Sequence, residues 1–427
     1  MSSIAIRNGR IIDPSCGRDE IADIFVVDSH ISLQQQAAKK PFDREIDATG
    51  MIVCPGLVDI STKMGEPTSE RASALQTESK AAYRGGITSV CIQPDTNPVV
   101  DTPAMAHMIR ANAQQHSGIR IFPLGALTAN LDGERLTDMA ALKNAGCVGV
   151  SNARNAVGNT LLMRRAMQYA ATFDITVFLY PQDKLLTGNG CVHEGEMSTR
   201  FGLPAIPVAA ETVAVATELA LVETTGVRAH FSQISCARTV AMIAESHQRG
   251  LDVSADVAIH NLLLTEFDVQ DFNTLCHVLP PLRSEFDRQG LCDGLKQGII
   301  SVICSDHRPC SDDEKLAPFS QTASGISGLE TLLSLTLRLV HEDVLIMSEA
   351  IACLTVNPAK TIGIDAGTLA AGAQADICIF DPEKLWKPDA ANMHSAGKNN
   401  PFIGAELRGK VMHTIVSGEL VHDTLAA

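Results

Sequence analysis

Residues 54–63 read Cys54-Pro-Gly-Leu-Val-Asp-Ile-Ser-Thr-Lys63 and join a short apolar run to a group of polar side chains. The run Gly56–Ile60 has the composition of a buried β-strand. Similar runs follow along the chain at 87–92, 119–124, 147–150, 175–179, 228–231, 252–257 and 300–304. Because apolar strands that alternate with helices form parallel sheets covered on both faces, these runs predict an α/β fold, a (β/α)8 TIM-like barrel.

The two ends of the chain have a different pattern. Short β-type runs interrupted by Gly, Asn, Pro or Asp occur at 3–8, 23–28, 51–54, 375–381 and 411–421. These runs predict one small β-sandwich domain made from both termini. We therefore assign residues 1–54 and 361–427 to this β-domain and residues 55–360 to the barrel.

Composition limits the classes of partner. The chain carries 34 Lys and Arg against 49 Asp and Glu, a formal net charge of −15. An acidic surface repels nucleic-acid backbones and anionic lipids, so we expect neither partner. No apolar run reaches the roughly 20 residues that span a bilayer, and the N-terminus lacks a signal-peptide core, so we expect a cytoplasmic protein. The 12 cysteines include no C-x-x-C pair and are expected to be buried, reduced thiols.

Several stretches, taken in their order and spacing, resemble the long-type dihydroorotases of the amidohydrolase superfamily over nearly the whole chain. They are Cys54–Ile60, Pro94–Pro98, His193–Glu196, Pro280–Arg283, Ser305–His307, Asn357–Ala359 and Ile415–Gly418. The resemblance implies a zinc site built from residues that follow the barrel strands. It also implies an arginine and an asparagine that hold the anionic substrate.

The residues that the resemblance assigns to zinc and substrate are replaced here. The matching positions hold Ser61, Lys63 and Gly65 after strand one, Asp95 after strand two, Asn152 or Ala153 after strand four, Tyr180 after strand five and Gln233 after strand six. Only the aspartate after strand eight is kept, as Asp306, which in the family binds metal and shuttles a proton. Alcohol, phenol, amide and ammonium groups are poor ligands for zinc. We therefore expect no metal, no cofactor and no catalytic residue at these positions.

The resemblance also implies a function. Some bacteria carry a catalytically inert dihydroorotase-like chain that assembles with aspartate carbamoyltransferase, with six copies of each chain expected. We therefore expect a non-catalytic subunit that supports the assembly and stability of that enzyme in de novo pyrimidine (UMP) biosynthesis. The chain would then be a homo-oligomer within a hetero-dodecamer. A small-molecule sensor that uses the altered pocket to regulate its partner stays open as another function.

A divergent metal-dependent cyclic amidohydrolase of the dihydroorotase type is the alternative. His230, His260 and Asp306 would form its reduced mononuclear site, since two histidines and one carboxylate are a known metal-binding set. Asp306 and His307 can be interpreted as an acid–base pair. We favour a simpler interpretation, in which Asp306 pairs with Lys63 across the barrel mouth.

Two further motifs are interpreted as structural. His193 is expected to order the long loop after strand five rather than to bind a metal. Gly85-Gly86 is expected to form a tight turn and not a phosphate loop, because no Lys-Ser or Lys-Thr follows it.

Overall fold

The computed structural model describes residues 3–33, 41–65 and 72–424. The strands, in chain order, are β1 (Ile4–Asp13), β2 (Arg18–Val27), β3 (His30–Ser32), β4 (Arg44–Asp47), β5 (Ile52–Pro55), β6 (Leu57–Thr62), β7 (Ile87–Ile92), β8 (Arg120–Pro123), β9 (Gly125–Ala126), β10 (Val150–Ser151), β11 (Val177–Leu179), β12 (Val192–His193), β13 (Ala205–Ile206), β14 (Ala229–Phe231), β15 (Val253–Ala258), β16 (Val302–Cys304), β17 (Ile377–Trp386), β18 (Leu407–Val416) and β19 (Glu419–Asp423).

The helices, in chain order, are α1 (Ala72–Arg84), α2 (Pro103–His116), α3 (Met139–Asn144), α4 (Thr160–Thr172), α5 (Lys184–Thr187), α6 (Glu196–Phe201), α7 (Ala209–Thr225), α8 (Ala237–Gln248), α9 (Ile259–Leu263), α10 (Glu285–Lys296), α11 (Asp312–Lys315), α12 (Leu332–His341), α13 (Met347–Leu354) and α14 (Val356–Ile362). Within the described ranges, none of these helices combines the length and the apolar character that a membrane crossing needs.

Parallel strand pairing closes the barrel, as predicted. One run of paired strands is β6-β7-β8, and a second is β9-β10-β11-β14-β15-β16. Leu124 connects the two runs, because its N–H donates to the carbonyl of Ile92 at 3.0 Å. On the opposite side, a parallel bridge between Thr62 and His307 joins the end of β6 to the chain after β16. The N–H of Lys63 also donates to the carbonyl of His307 at 2.9 Å.

Continuous burial explains the continuous apolar pattern of the barrel strands. Every residue of β6 and of β7 is buried, because one face points into the barrel and the other packs under the helices. The interior cluster includes Val58, Phe178 and Val302. The cysteines are likewise buried, except for Cys16, which is exposed. All of them are free thiols, as predicted.

The two termini build the β-rich domain that the sequence predicted. Its eight strands form one continuous sheet in the order β19-β18-β17-β5-β1-β2-β3, with β4 pairing with β1. The C-terminal β17 runs antiparallel to β5, with Cys378 opposite Cys54. An apolar cluster that includes Ile4, Ile24 and Ile377 gives the sheet a core of its own. The two ends of the chain are thereby fixed to each other beside the first barrel strand.

Gly85 and Gly86 form the tight turn between α1 and β7. The N–H of Gly85 donates to Ala81 and that of Gly86 donates to Tyr83, both at 3.1 Å. Gly86 has a φ of 81°, and a Cβ atom on it would lie 2.5 Å from Sγ of Cys378. The turn therefore needs glycine for its backbone conformation and for its close packing.

We predict that Gly86→Ala lowers the free energy of unfolding more than Gly372→Ala does. Gly372 is the matched control, because its φ is 83° and no other atom lies within 4 Å of the position that a Cβ atom would take there. Both substitutions carry a left-handed strain of about 1–2 kcal/mol, and crowding adds about 1–3 kcal/mol at Gly86 alone. Urea and thermal unfolding of the two variants measure the difference. Equal losses would show that packing against Cys378 does not constrain this turn.

Candidate functional site at the barrel mouth

The barrel brings the predicted positions together at the C-terminal ends of its strands. Three of them adopt a left-handed backbone: φ is 47° at Ala153, 51° at Gln233 and 46° at Asp306. A residue with a side chain adopts this conformation at a cost, so it persists only where the surrounding structure enforces it. The strand ends therefore keep a strained geometry at the same positions that the resemblance assigns to zinc.

Asp306 is the centre of the site, and two arginines compensate its charge. Nη2 of Arg154 lies 2.7 Å from Oδ2 of Asp306, and Nε of Arg308 lies 3.3 Å from Oδ1. The Asp306 side chain is 2% exposed. Burial alone would raise the pKa of Asp306, but the positive charges of Arg154 and Arg308 outweigh burial and lower it. Asp306 is therefore an ionised carboxylate whose oxygens are already engaged.

The predicted pair between Lys63 and Asp306 is wrong. Nζ of Lys63 instead lies 2.9 Å from Oδ2 of Asp95, and Nη1 of Arg308 lies 3.6 Å from the same oxygen. Two guanidinium groups already cover Asp306, and their planar, rigid donors suit a buried carboxylate better than a flexible ammonium does. The Lys63 side chain is 39% exposed and stays at the rim of the mouth.

Arg154 and Arg308 are the functional residues that the sequence interpretation missed. Both stand directly after barrel strands, in the stretches Ser151–Arg154 and Ser305–Cys310. An arginine at a strand end is the available signal, because an isolated aspartate kept in a barrel mouth needs a positive partner once no metal compensates it.

A hydrogen bond joins the side chains of Ser61 and Gln233 in the mouth. Nε2 of Gln233 donates to Oγ of Ser61 at 2.8 Å, and that hydroxyl donates to Oδ1 of Asp306 at 3.4 Å. The backbone N–H of Gln233 donates to Oδ1 of Asp256 at 2.8 Å. These two side chains therefore extend the hydrogen-bond network around Asp306.

Tyr180 packs against Arg154 at the same mouth. The guanidinium carbon of Arg154 lies 5.1 Å from the centroid of the Tyr180 ring, a cation–π contact. Burial raises the pKa of Tyr180 to about 12. The phenol therefore stays protonated at neutral pH and does not supply the anionic oxygen that would favour a metal.

The structure does not support the alternative metal set of His230, His260 and Asp306. Nδ1 of His230 lies 2.7 Å from Oγ of Ser254, and Nε2 lies 2.8 Å from Oδ2 of Asp256, so both ring nitrogens are engaged by β15. His260 differs, since neither of its ring nitrogens has a hydrogen-bond partner among the residues that the structure describes. Burial lowers the pKa of His260 to about 4, so its ring is neutral.

His307 is engaged away from Asp306. Its Nε2 lies 3.0 Å from Oε2 of Glu78, and its Nδ1 accepts the N–H of Gly328 at 3.2 Å. Both ring nitrogens are thus occupied, which disfavours the acid–base pair with Asp306. His193 is also structural, with its Nδ1 3.3 Å from Nη1 of the buried Arg283.

Asp59 lies behind the mouth and was not singled out from the sequence. Its Oδ1 accepts the backbone N–H of Ser305 at 3.2 Å and that of Ser61 at 3.3 Å. Burial raises the pKa of Asp59 to about 6. This carboxyl group ties the ends of β6 and β16 together, which is a structural role.

The residues present do not fit the zinc ion that the resemblance implies. A zinc ligand needs a free lone pair, but the Ser61 hydroxyl accepts a hydrogen bond from Gln233, and the two oxygens of Asp306 bind guanidiniums. Across the described ranges, no group of three or more His, Cys, Asp or Glu residues is arranged to hold a metal ion. The positive charge of Arg154 lies against the one retained carboxylate and would repel a divalent cation.

Comparisons with known proteins agree with this fold. A family model described as Dihydro-orotase-like matches residues 50–239, and one described as Amidohydrolase family matches residues 192–421. The structure is similar to that of L-hydantoinase from Arthrobacter aurescens, with a TM-score of 0.85, 24% identity, and coverage of 99% of this chain and 96% of that one. This similarity shows the shared fold.

Relatives of full length are similar to this chain in sequence. A dihydroorotase-like protein of Pseudomonas putida is 42% identical, and the match covers 98% of this chain and 99% of the relative. A dihydroorotase of Geobacter sp. (strain M21) is 39% identical, again over 98% of this chain and 99% of the relative. The chain therefore belongs to the dihydroorotase-like proteins of the amidohydrolase family.

Proposed function

We propose that this chain is a non-catalytic dihydroorotase-like subunit of the cytoplasm that supports the assembly and stability of aspartate carbamoyltransferase in de novo pyrimidine biosynthesis. The observation that carries this proposal is the engagement of Asp306 by Arg154 and Arg308. Metal-dependent hydrolysis needs a metal that lowers the pKa of water from about 15.7 to about 7. At 1.36 kcal/mol per pKa unit, this activation is worth roughly 12 kcal/mol, and none of the mouth residues that the structure describes replaces it.

The mouth also lacks two groups with which the family holds its anionic substrate. Asp95 stands where the family holds a substrate-binding asparagine, and its carboxylate is paired with Lys63 and Arg308 and cannot donate the hydrogen bonds of an amide. Gly65 stands where the family holds an arginine and has a φ of 89°. A side chain at position 65 would be strained in this backbone conformation, so the local structure has adapted to glycine.

An assembly role is supported by what the chain retains. The barrel, the two-ended β-domain and the strained strand ends are intact, while the ligand set is replaced. An interface with another protein uses surface residues, so it does not require the lost ligands. The partner itself follows from the resemblance to the inert chains that assemble with aspartate carbamoyltransferase.

A divergent cyclic amidohydrolase is the second candidate, and His260 is the observation that favours it. Both ring nitrogens of this buried, neutral histidine lack a hydrogen-bond partner within the described ranges, and Asp306 lies close enough for the two groups to influence each other's pKa. A relative such as the Geobacter protein also bears the name dihydroorotase. Near-stoichiometric zinc in protein purified without chelator would favour this candidate, and zinc-free protein would favour the proposed subunit.

We predict that aspartate carbamoyltransferase from the native host co-elutes with this chain during size-exclusion chromatography. Deleting the chain should reduce the stability of the carbamoyltransferase, and restoring either the wild type or Tyr180→Phe should recover the complex. Recovery by Tyr180→Phe is expected because this mouth variant keeps the ring that packs on Arg154, and the proposed interface does not use the mouth. Carbamoyltransferase activity that elutes apart from this chain would contradict the proposal.

We also predict that Asp306→Asn destabilises the chain by about 3–5 kcal/mol, because it leaves the buried guanidinium of Arg154 without its carboxylate and Arg308 with Asp95 alone. The control is Asp19→Asn, which breaks an exposed pair with Arg10 (2.8 Å) and should cost less than about 1 kcal/mol. Urea unfolding at pH 7 measures both losses. A similar small loss for the two variants would mean that the Asp306 cluster does not stabilise the fold.

Stability should also depend on pH through Asp306. The folded-state pKa of Asp306 is lowered, so its contribution is present above the unfolded pKa of about 3.9 and is lost as the pH falls through the folded-state pKa. We expect the stability difference between the wild type and Asp306→Asn to shrink in this acidic range. A difference that stays constant from pH 7 into this range would contradict the assignment of an ionised Asp306.

A further inference from the structure

A separate cavity lies where the barrel helices meet the β-domain, outside the barrel mouth. It has a volume of about 260 Å³. The end of α1, the beginning of α12, and strands β17, β18 and β19 surround it. Its charged and aromatic lining residues are Arg84, Glu330, Trp386, Lys387, Lys410 and His422.

Positive charge dominates this cavity. Arg84, Lys387 and Lys410 line it, and Glu330 is its one acidic lining residue in the part of the chain that the structure describes. No ion pair within 4.0 Å joins any of the three cations to a described carboxylate. The Glu330 carboxylate is held elsewhere, because it accepts the backbone N–H of His394 at 2.9 Å. This excess of positive charge is local to the cavity, since the whole chain has a net charge of −15.

The cations of the cavity repel one another. Burial, followed by the positive charges of Lys384 and Arg84, lowers the pKa of Lys410. Burial, followed by the charge of Arg84, lowers the pKa of His422 to about 4, so this histidine is neutral. Glu330 offsets part of the charge of Arg84, and an anion placed among these groups would offset more of their repulsion.

The indole of Trp386 lines the cavity beside the cations and is held in place by hydrogen bonds. Its Nε1 donates to Oγ of Ser334 and to the carbonyl of Gly409, both at 3.0 Å, so the indole is held in one orientation. Nζ of Lys410 lies 5.9 Å from the centroid of an indole ring. A charge that binds to Lys410 will therefore change the electrostatic environment of this indole.

We propose that this cavity binds a small phosphate-bearing anion, with Arg84 and Lys410 contacting the phosphate oxygens beside Trp386. Arginine and lysine are the usual phosphate-binding side chains, and a phosphate monoester carries about −1.5 to −2 charges at pH 7, which suits several convergent cations. The volume lies below the roughly 300–1,000 Å³ of sites for drug-sized ligands, so the ligand is small. This site is independent of the proposed function, because it shares no residue with the barrel mouth.

Tryptophan fluorescence tests the site directly, because Trp386 is the single tryptophan of the chain. The full chain is titrated with sodium phosphate and, separately, with glycerol 3-phosphate, at an ionic strength held constant with sodium chloride. We expect a saturable change in emission with either probe. Tighter binding of the ester would identify a phosphorylated metabolite as the ligand, and equal affinities would identify free phosphate. A change no larger than sodium chloride alone produces would overturn the proposal.

Substitutions of the lining cations test whether the anion binds in this cavity. Lys410→Gln and Arg84→Gln should each weaken the apparent affinity about tenfold or more, because each removes a charge-assisted hydrogen bond. Lys387→Gln, at an exposed position, should weaken the affinity less, and it tests the site even if substitution of the half-buried Arg84 or Lys410 impairs folding. Lys296→Gln is the control, since this exposed lysine lies in the last turn of α10. Loss of affinity in Lys296→Gln equal to that in Lys410→Gln would show nonspecific ion binding and would overturn the proposal.

Discussion

The structure of the barrel mouth depends on the compensation of one buried carboxylate. Asp306 is almost fully enclosed at the end of β16, and an uncompensated charge there would be strongly destabilising. Arg154 supplies the shortest contact and Arg308 a second one. Since Arg308 also reaches Asp95, the compensation extends to Lys63 at the rim. The remaining mouth residues surround this cluster, in which positive and negative side chains alternate.

Guanidinium groups can offset the charge of Asp306 without replacing the chemistry of a metal. A metal ion binds water and acidifies it, whereas a guanidinium only donates hydrogen bonds and cannot accept a proton at neutral pH. The left-handed backbone at Ala153, Gln233 and Asp306 nevertheless persists. Under the proposed function, the barrel scaffold is separable from the hydrolytic site, which is how one fold comes to serve different functions.

Continuous burial of the barrel strands made the architecture predictable, whereas the pairing of side chains in the mouth could not be predicted. The apolar runs reveal the barrel strands, because both faces of a parallel strand are buried. The partner of Asp306 depends on the reach of side chains from different loops, and the sequence does not show that Arg154 lies nearer than Lys63. The same limit applies to His230, whose partners Ser254 and Asp256 become neighbours only through strand pairing. Arg84 and Lys410 likewise meet only in the folded chain.

The most direct test of this account is a hydrolysis assay on the isolated chain, purified from a host that lacks its own dihydroorotase. The interconversion of dihydroorotate and carbamoyl aspartate is followed with and without added zinc. We predict a rate equal to the uncatalysed rate under both conditions, because the described residues of the mouth do not fit the metal that would activate water. Saturable, zinc-dependent turnover that is lost on His260→Ala would contradict it.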